Sequence, residues 1–366
     1  MASPTATASA IEVSPSTVEQ LGPTDNIFQS PLWARFRDCY GTPVTCVDLG
    51  TADAAMMVQL EQQGDFRLAY VAAGPDVTVA EENQGCFLEE LSGQLHTRLD
   101  GDPVAVRYDV PWESPYERVD DRPSVRAREI RMNFGTERHR LHKAVTDRLA
   151  PDTVEVDLTA SEAAIMAAMR SKTRYNIRLA GRRGVRVVRA DASLLPAWHE
   201  LYVQTAVRKG FQPQTLDYFR TLFSIAREHR PDIRLYLAYG GPAPGRGNDR
   251  AATGPGLLGG IVVAHTGRIA TYLYGASAPE HRSLMAPYAL QWHAICQARR
   301  DGCLRYDLFG VPPAPDTGHP MYGLYRFKTG FGGSVVHRRG AWDYVYDETA
   351  YQLFEAGEAA GSGYYV

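Results

Sequence analysis

Lysine is scarce in this chain. Of its 39 basic residues only Lys143, Lys172, Lys209 and Lys328 are lysines; the rest are arginines. Long apolar runs are missing as well. A membrane helix needs about 20 mostly apolar residues, so no span is predicted. Cysteine is sparse: five residues, at 39, 46, 86, 296 and 303, with no Cys-x-x-Cys pair. That odd, scattered set argues against a disulfide framework, a cysteine zinc site and a cysteine nucleophile. It reads as incidental thiols in a reducing, cytoplasmic setting. His265, His281, His293, His319 and His337 show no metal-ligand spacing, so no metal is expected. A surplus of one charge is lacking too. The formal net charge of −3 does not describe a nucleic-acid binder as a whole. The opening MASPTATASAIEVSPSTVEQ lacks the basic and apolar regions of a secretory signal. Its small polar residues predict a disordered leader over residues 1–27.

What is present fits a two-domain α/β protein, at roughly 100–200 residues per domain. TPVTCVDLG, AAMMVQL, FRLAYVAAGP and DPVAVRYDVP read as strands. NQGCFLEELSGQLHTRL reads as an amphipathic helix, with Phe87, Leu88, Leu91, Leu95 and Leu99 at helical spacing. DTVEVDLT is an extended entry to one long helix, SEAAIMAAMRSKTRYNIRLAGRRG. Thr159 or Ser161 can cap that helix and Gly184 can end it. Strand VRVVRA, helices around 192–230, strands IRLYLAYG, GLLGGIVVAHTG and IATYLYGAS, helix PYALQWHAICQARRDG and strand LRYDLFG follow. SVVHRRGAWDYVYD closes the pattern. GGPAPGRGNDRAATGPG is a loop by its Gly and Pro content. No short-period repeat is evident. The expected division is a first domain over 28–150, completed by 331–366, and a second over 151–330.

The second half resembles the acetyl-CoA-dependent N-acyltransferases in layout: a hairpin, a helix ending in Asp-Gly, then a buried strand. In those proteins a glycine-bearing loop at the helix start offers backbone N–H groups to the CoA pyrophosphate. The matching HRSLMAPYAL has no glycine, and Pro287 removes one donor. The fold expectation stands without its usual cofactor. Residues 161–190 carry eight basic side chains against one acidic one, Glu162. Arg174, Arg178 and Arg182 lie four apart on one helical face, a stripe suited to phosphate contact or simply to solvent.

Four stretches are more specific than charge. QSPLWARF, SKTRYNIRLAGRRGV, the run YLYGASAPEHRSLMAPYALQWHAICQARRDGCLRYDLFG, and LYRFKTGFGG with its Phe-Lys-x-x-Phe-Gly pattern together resemble the FemABX family of aminoacyl-tRNA-dependent peptidyltransferases. They occur in the family's order over residues 28–345. The resemblance implies two tandem acyltransferase-like (GNAT-type) domains, with mixed sheets flanked by helices. It implies transfer of an amino acid from aminoacyl-tRNA to an amino group of a peptidoglycan precursor, with no CoA or other cofactor. No long charged helical insertion interrupts the second half. The chain is therefore similar to the short members, which lack a coiled-coil arm, and a monomer is expected.

Aminolysis of an aminoacyl ester needs a neutral amine, a stabilised oxyanion and positioning. The resemblance places Lys328 near the tRNA 3′ end and the forming oxyanion. A compact ammonium differs there from a planar guanidinium, which suits a lysine kept in an arginine-biased chain. It places Asp109 at an acidic position able to orient or deprotonate the acceptor. Arg37 or Arg35, with Arg37 favoured, and Arg208 match positions that hold the acceptor diphosphate. Tyr272 and Tyr274, two apart on a strand, are expected to face one side, with one hydroxyl touching the precursor. Lys172, Arg174 and Arg178 are expected tRNA contacts. Three other readings remain open. The same transfer could end on a small natural product, which the composition of a GC-rich genome suits. A CoA-dependent N-acyltransferase is disfavoured by the glycine-free loop. A non-catalytic RNA-binding protein leaves Lys328 unexplained.

Overall fold

The computed structural model describes residues 11–50, 54–116, 121–228, 232–240 and 256–360. They form two compact units, residues 1–152 with 337–366, and residues 153–336. The first unit opens with a short strand β1 (Ser14–Pro15), helix α1 (Pro31–Cys39) and strands β2 (Val44–Asp48), β3 (Ala55–Gln63) and β4 (Phe66–Val71). Helix α2 (Gln84–His96) crosses over to β5 (Ala105–Glu113), which lies parallel to β4. Helix α3 (Val125–Met132) and strand β6 (Leu141–Lys143) follow. α2 forms where the sequence predicts it. Leu88, Leu91 and Leu95 are fully buried against the sheet, each contributing about 1.5–3 kcal/mol of transfer energy.

The leader is ordered where it is described, contrary to its composition. The Val13 N–H donates to Gln94 Oε1 on α2 at 2.8 Å, and Ser14–Pro15 pair with Asp48 and Val47. Ile11, Val13, Leu21 and Ile27 are buried. A few well-spaced apolar residues and one side-chain amide outweigh the polar bulk of the segment. Residues 1–10 lie outside the described part.

The second unit begins with β7 (Asp152–Asp157) and two helices, α4 (Glu162–Ala168) and α5 (Ser171–Arg182). Sequence periodicity predicts one helix here, but it breaks. Arg170 is extended (φ −60°, ψ 145°), and its N–H bonds Gly330 O at 2.9 Å. The Ser161 side chain caps α4, as expected. Strand β8 (Val185–Ala190), helices α6 (Leu195–Lys209) and α7 (Leu216–Glu228), and strands β9 (Asp232–Gly240), β10 (Leu257–Thr266) and β11 (Ile269–Ser277) come next. Residues 241–255 of the expected loop lie outside the described part. Helix α8 (Ala286–Arg300) then crosses over to β12 (Arg305–Gly310), which lies parallel to β11, and α9 (Tyr322–Lys328) follows. The strand order is β7-β12-β11-β10-β9-β8. Gly260 on β10 is obligatory, because a Cβ would sit 2.6 Å from Trp198 of α6.

The chain returns through β13 (Ser334–Val345), which pairs antiparallel with β5 and β6, and ends in α10 (Glu348–Ala360). The first unit's strand order is β1-β2-β3-β4-β5-β13. Its buried Arg107 joins Asp343 of β13 (2.7 Å) and Glu358 of α10 (2.7 Å). Both units are mixed α/β sheets flanked by helices, as expected. Both also carry an Arg-Tyr-Asp triplet on the strand after the crossover helix, a recurrence that sequence reading missed. Tyr108 reaches Ser92 of α2 at 2.9 Å, and Tyr306 donates to Gln291 of α8 at 2.7 Å. Among the described residues no helix is long and apolar enough to cross a membrane.

Candidate active site

In the second unit, two stretches far apart in sequence meet. The turn after α9 carries Gly330, Gly332 and Gly333, and it packs on the break between α4 and α5. A Cβ at Gly330 would run into the Thr173 hydroxyl, and one at Gly332 (φ 82°) would come 2.9 Å from Ala168 backbone. Glycine is needed at 332 and 333 because backbone lies against backbone, and at 330 because the Thr173 side chain fills the space. The Arg174 guanidinium completes the junction by donating to the carbonyls of Ala167 and Met169.

Lys328 ends α9 and is buried, with only 5% of its surface exposed. Its ammonium donates to Gly310 O at 2.7 Å and lies 5.4 Å from the Tyr272 ring centre. Burial pushes its pKa down from 10.5 to about 7, while the carboxylate of Asp307 pulls the other way. The carbonyl that receives it is aimed by a distortion of β12, whose register with β7 shifts between Asp307 and Gly310. Phe309 within this bulge has φ 61°, and its N–H is held by Asp307 Oδ1 at 2.7 Å. A non-glycine residue in the left-handed region is costly, which is typical of a site whose surroundings impose the geometry. The result is a desolvated cation balanced near neutrality. It can donate to a developing oxyanion or give up its proton.

The two strand tyrosines part company. The β10–β11 register shifts between the partners of Tyr274 and Tyr272. Tyr272 lies over Gly275 and beside Lys328. Tyr274 turns to the other face, where its hydroxyl meets that of Tyr218 at 2.8 Å and its ring packs on Phe219. A bulge flips the alternation, so the expectation of a shared side fails. Arg208, in the last turn of α6, donates to Ser277 O at 3.1 Å and braces the end of β11. On α5, Lys172 and Arg178 are exposed, whereas Arg174 is committed to the helix junction.

In the first unit Asp109 is buried on β5. Its Oδ2 accepts from the Tyr70 hydroxyl at 2.5 Å and from Leu149 N at 3.1 Å. Oδ1 has no partner among the described residues. Burial raises its pKa from 3.8 to about 6. The Tyr70 bond opposes that rise, and the charge of Asp147 adds to it. The Arg148 guanidinium sits 4.7 Å over the Tyr70 ring and pairs with Glu61. Glu61 also takes Arg37 at 3.1 Å. Arg37 therefore joins the Asp109 network, while Arg35 is bound to Glu19 at 2.6 Å. Tyr70, Glu61 and Arg148 had no signal in the sequence. Each sits in an ordinary strand or loop pattern, and only tertiary pairing brings them together. Among the described residues no group of three His, Cys, Asp or Glu side chains could hold a metal.

Known proteins resemble the chain over most of its length. It is 24% identical over 271 residues to the lipid II:glycine glycyltransferase of Staphylococcus haemolyticus (strain JCSC1435), which covers 58% of this chain and 64% of that protein. It is 25% identical over 268 residues to the protein of the same name from Staphylococcus saprophyticus, with the same two coverages. The matched part thus spans less than two thirds of these relatives. The crystal structure of FemX superposes with a TM-score of 0.74 at 18% identity, over 94% of this chain and all of that one, which shows a shared fold. The FemAB family model matches residues 18–239 and 251–358, and the chain belongs to the FemAB family.

Proposed function

We propose that the protein transfers an amino acid from aminoacyl-tRNA to an amino group of a peptidoglycan precursor by direct aminolysis. The observation that carries this reading is Lys328. It is a buried ammonium with a depressed pKa, on a turn fixed by glycine packing and aimed by a bulged strand. Among the possible donors glycine comes first, because the staphylococcal relatives are named for glycyl transfer to lipid II.

In the reaction the acceptor amine attacks the ester carbonyl, forming an N–C bond and a tetrahedral oxyanion. Lys328 donates a hydrogen bond to that oxygen. Collapse breaks the ester C–O bond, and the proton lost by the amine ends on the departing ribose oxygen. No acyl-enzyme forms, so no nucleophilic side chain is required. Asp109, a buried carboxyl with a raised pKa, is proposed as the acidic group that takes the acceptor's proton, and its part is read from the Asp109→Asn variant. The exposed Lys172 and Arg178 supply phosphate contacts for the tRNA end.

The test is a transfer assay with charged tRNA. Glycyl-tRNA comes first, then a pool charged with all amino acids. One arm receives a pentapeptide precursor and the other a small-molecule extract of the source cells. RNase-sensitive addition of one residue to the pentapeptide, lost in Lys328→Met, supports the proposal. Addition only to a small molecule transfers the chemistry to another acceptor class. Absence of addition in both arms refutes it.

A further inference from the structure

The first unit contains a second polar feature, beside the Asp109 network, which it meets at Asp147. The end of β5, helix α3, β6 and β13 enclose a cavity of about 50 Å³. Six of its lining side chains are cationic: Arg122, Arg128, Arg131, Lys143, Arg338 and Arg339. One is a carboxylate, Asp147. That carboxylate is already occupied, taking Lys143 Nζ at 2.8 Å and Ala341 N at 2.5 Å. Arg122 is paired with Asp152 at 2.9 Å, Arg339 with the half-exposed Glu81 at 3.1 Å, and Arg131 donates to the Tyr116 hydroxyl at 2.6 Å. No ion pair reaches Arg128 among the described residues. Burial lowers the pKa of both Arg128 and Arg339, and the neighbouring charges of Arg122 and Arg131 respectively add to it.

Converging guanidinium groups repel one another, and desolvation raises that cost. The wall also holds donors without acceptors. Among the described residues the Nε atoms of Arg122, Arg128 and Arg339 and the indole N–H of Trp342, whose residue is only 2% exposed, are buried with no hydrogen-bond partner. Buried donors are almost always satisfied. A small anion in the cavity would offset the repulsion. A carboxylate has two oxygens and one charge. A phosphate group presents three acceptor oxygens and nearly two charges, and guanidinium forks suit its geometry.

We propose that this cavity binds a phosphate group. Two sources share that chemistry: soluble phosphate compounds, and a phosphate borne by a lipid. The second belongs in the test because α3 and the turn after it also hold Ile130 and Phe134 out to solvent, 65% and 78% exposed. The site does not depend on the transferase reading.

The full-length protein is titrated calorimetrically with inorganic phosphate and with pyrophosphate, against chloride at matched ionic strength. A parallel arm measures flotation with phosphatidic acid vesicles against phosphatidylcholine vesicles. The variants are Arg128→Gln and Arg339→Gln, with the exposed Arg131→Gln as substitute if either fails to fold. Binding of at least one phosphate probe is expected, weakened about tenfold or more in the variants, since each removes a charged hydrogen-bond donor. Arg128→Gln without ligand should also melt higher than wild type at low salt, because a repelling charge is gone. A structural strut would melt lower. Binding in the soluble arm assigns free phosphate compounds, and binding in the vesicle arm alone assigns a lipid phosphate. Binding of neither probe, or binding that survives the substitutions unchanged, overturns the proposal.

Discussion

Replacing Lys328 with methionine should make the protein more stable and less active at once. The side chain is nearly buried, and its pKa falls from 10.5 in water to about 7. That displacement corresponds to a penalty of about 5 kcal/mol on holding the charged form in the fold. The penalty is present in full below pH 7, where the folded and unfolded chains both carry the proton. Between pH 7 and 10.5 the unfolded chain keeps a proton that the folded chain has released, so wild-type stability rises with pH across that window. Methionine has similar length and no charge. It gives up the 2.7 Å bond to Gly310, worth about 1.5–3 kcal/mol for a charged donor. A net gain of about 2–3 kcal/mol near pH 6.5 remains, shrinking toward pH 9.5. Urea denaturation of both proteins at pH 6.5, 8 and 9.5 reads this directly, and the transfer assay should show a fall in kcat of about 10²–10³. If the two stability curves run parallel in pH, the buried-ammonium account of Lys328 is wrong.

Three further outcomes follow from the geometry. Asp109→Asn should abolish one titration: its pKa of about 6 makes the wild type lose stability as pH rises from 3.8 through 6. That slope should be absent in the variant, and turnover should drop at least tenfold, measured by urea midpoints and by transfer rate. Arg107→Leu strands the Asp343 and Glu358 carboxylates, 2.7 Å from the lost guanidinium. It should cost about 3–5 kcal/mol by urea denaturation. Gly330→Ala forces a methyl into the Thr173 hydroxyl, so kcat should fall. Adding Thr173→Ala should restore much of it, and a strictly additive double mutant would deny the contact.

Much of this architecture was legible in the residues. The crossover helix α2 announced itself through leucines that are buried where their spacing placed them. Other features depend on partners distant in the chain. Apolar periodicity runs straight through Met169 and Arg170, so nothing local marks the helix break. At the break the Arg170 N–H is taken by Gly330 O, a partner 160 residues away. The bulge that separates Tyr272 from Tyr274 likewise belongs to the pairing of β11 with β10, and a strand read alone shows simple alternation. Arg37 could be preferred over Arg35 only by family likeness, until Glu61 and Glu19 claimed one each. The leader failed for the opposite reason. Composition averages over residues, and Ile11 and Val13 needed only two side chains of α2, Glu90 and Gln94, to hold their backbone.

The paired Arg-Tyr-Asp triplets show one local plan used in both halves. In each half the tyrosine ties the strand to its crossover helix, and the aspartate follows it at the same topological address. The two halves differ in what surrounds the aspartate: Asp109 sits under a tyrosine and an arginine, and Asp307 shapes the bend that presents a carbonyl to Lys328. The same address in the fold thus holds a carboxyl with a raised pKa in one half and a brace for a strand bend in the other.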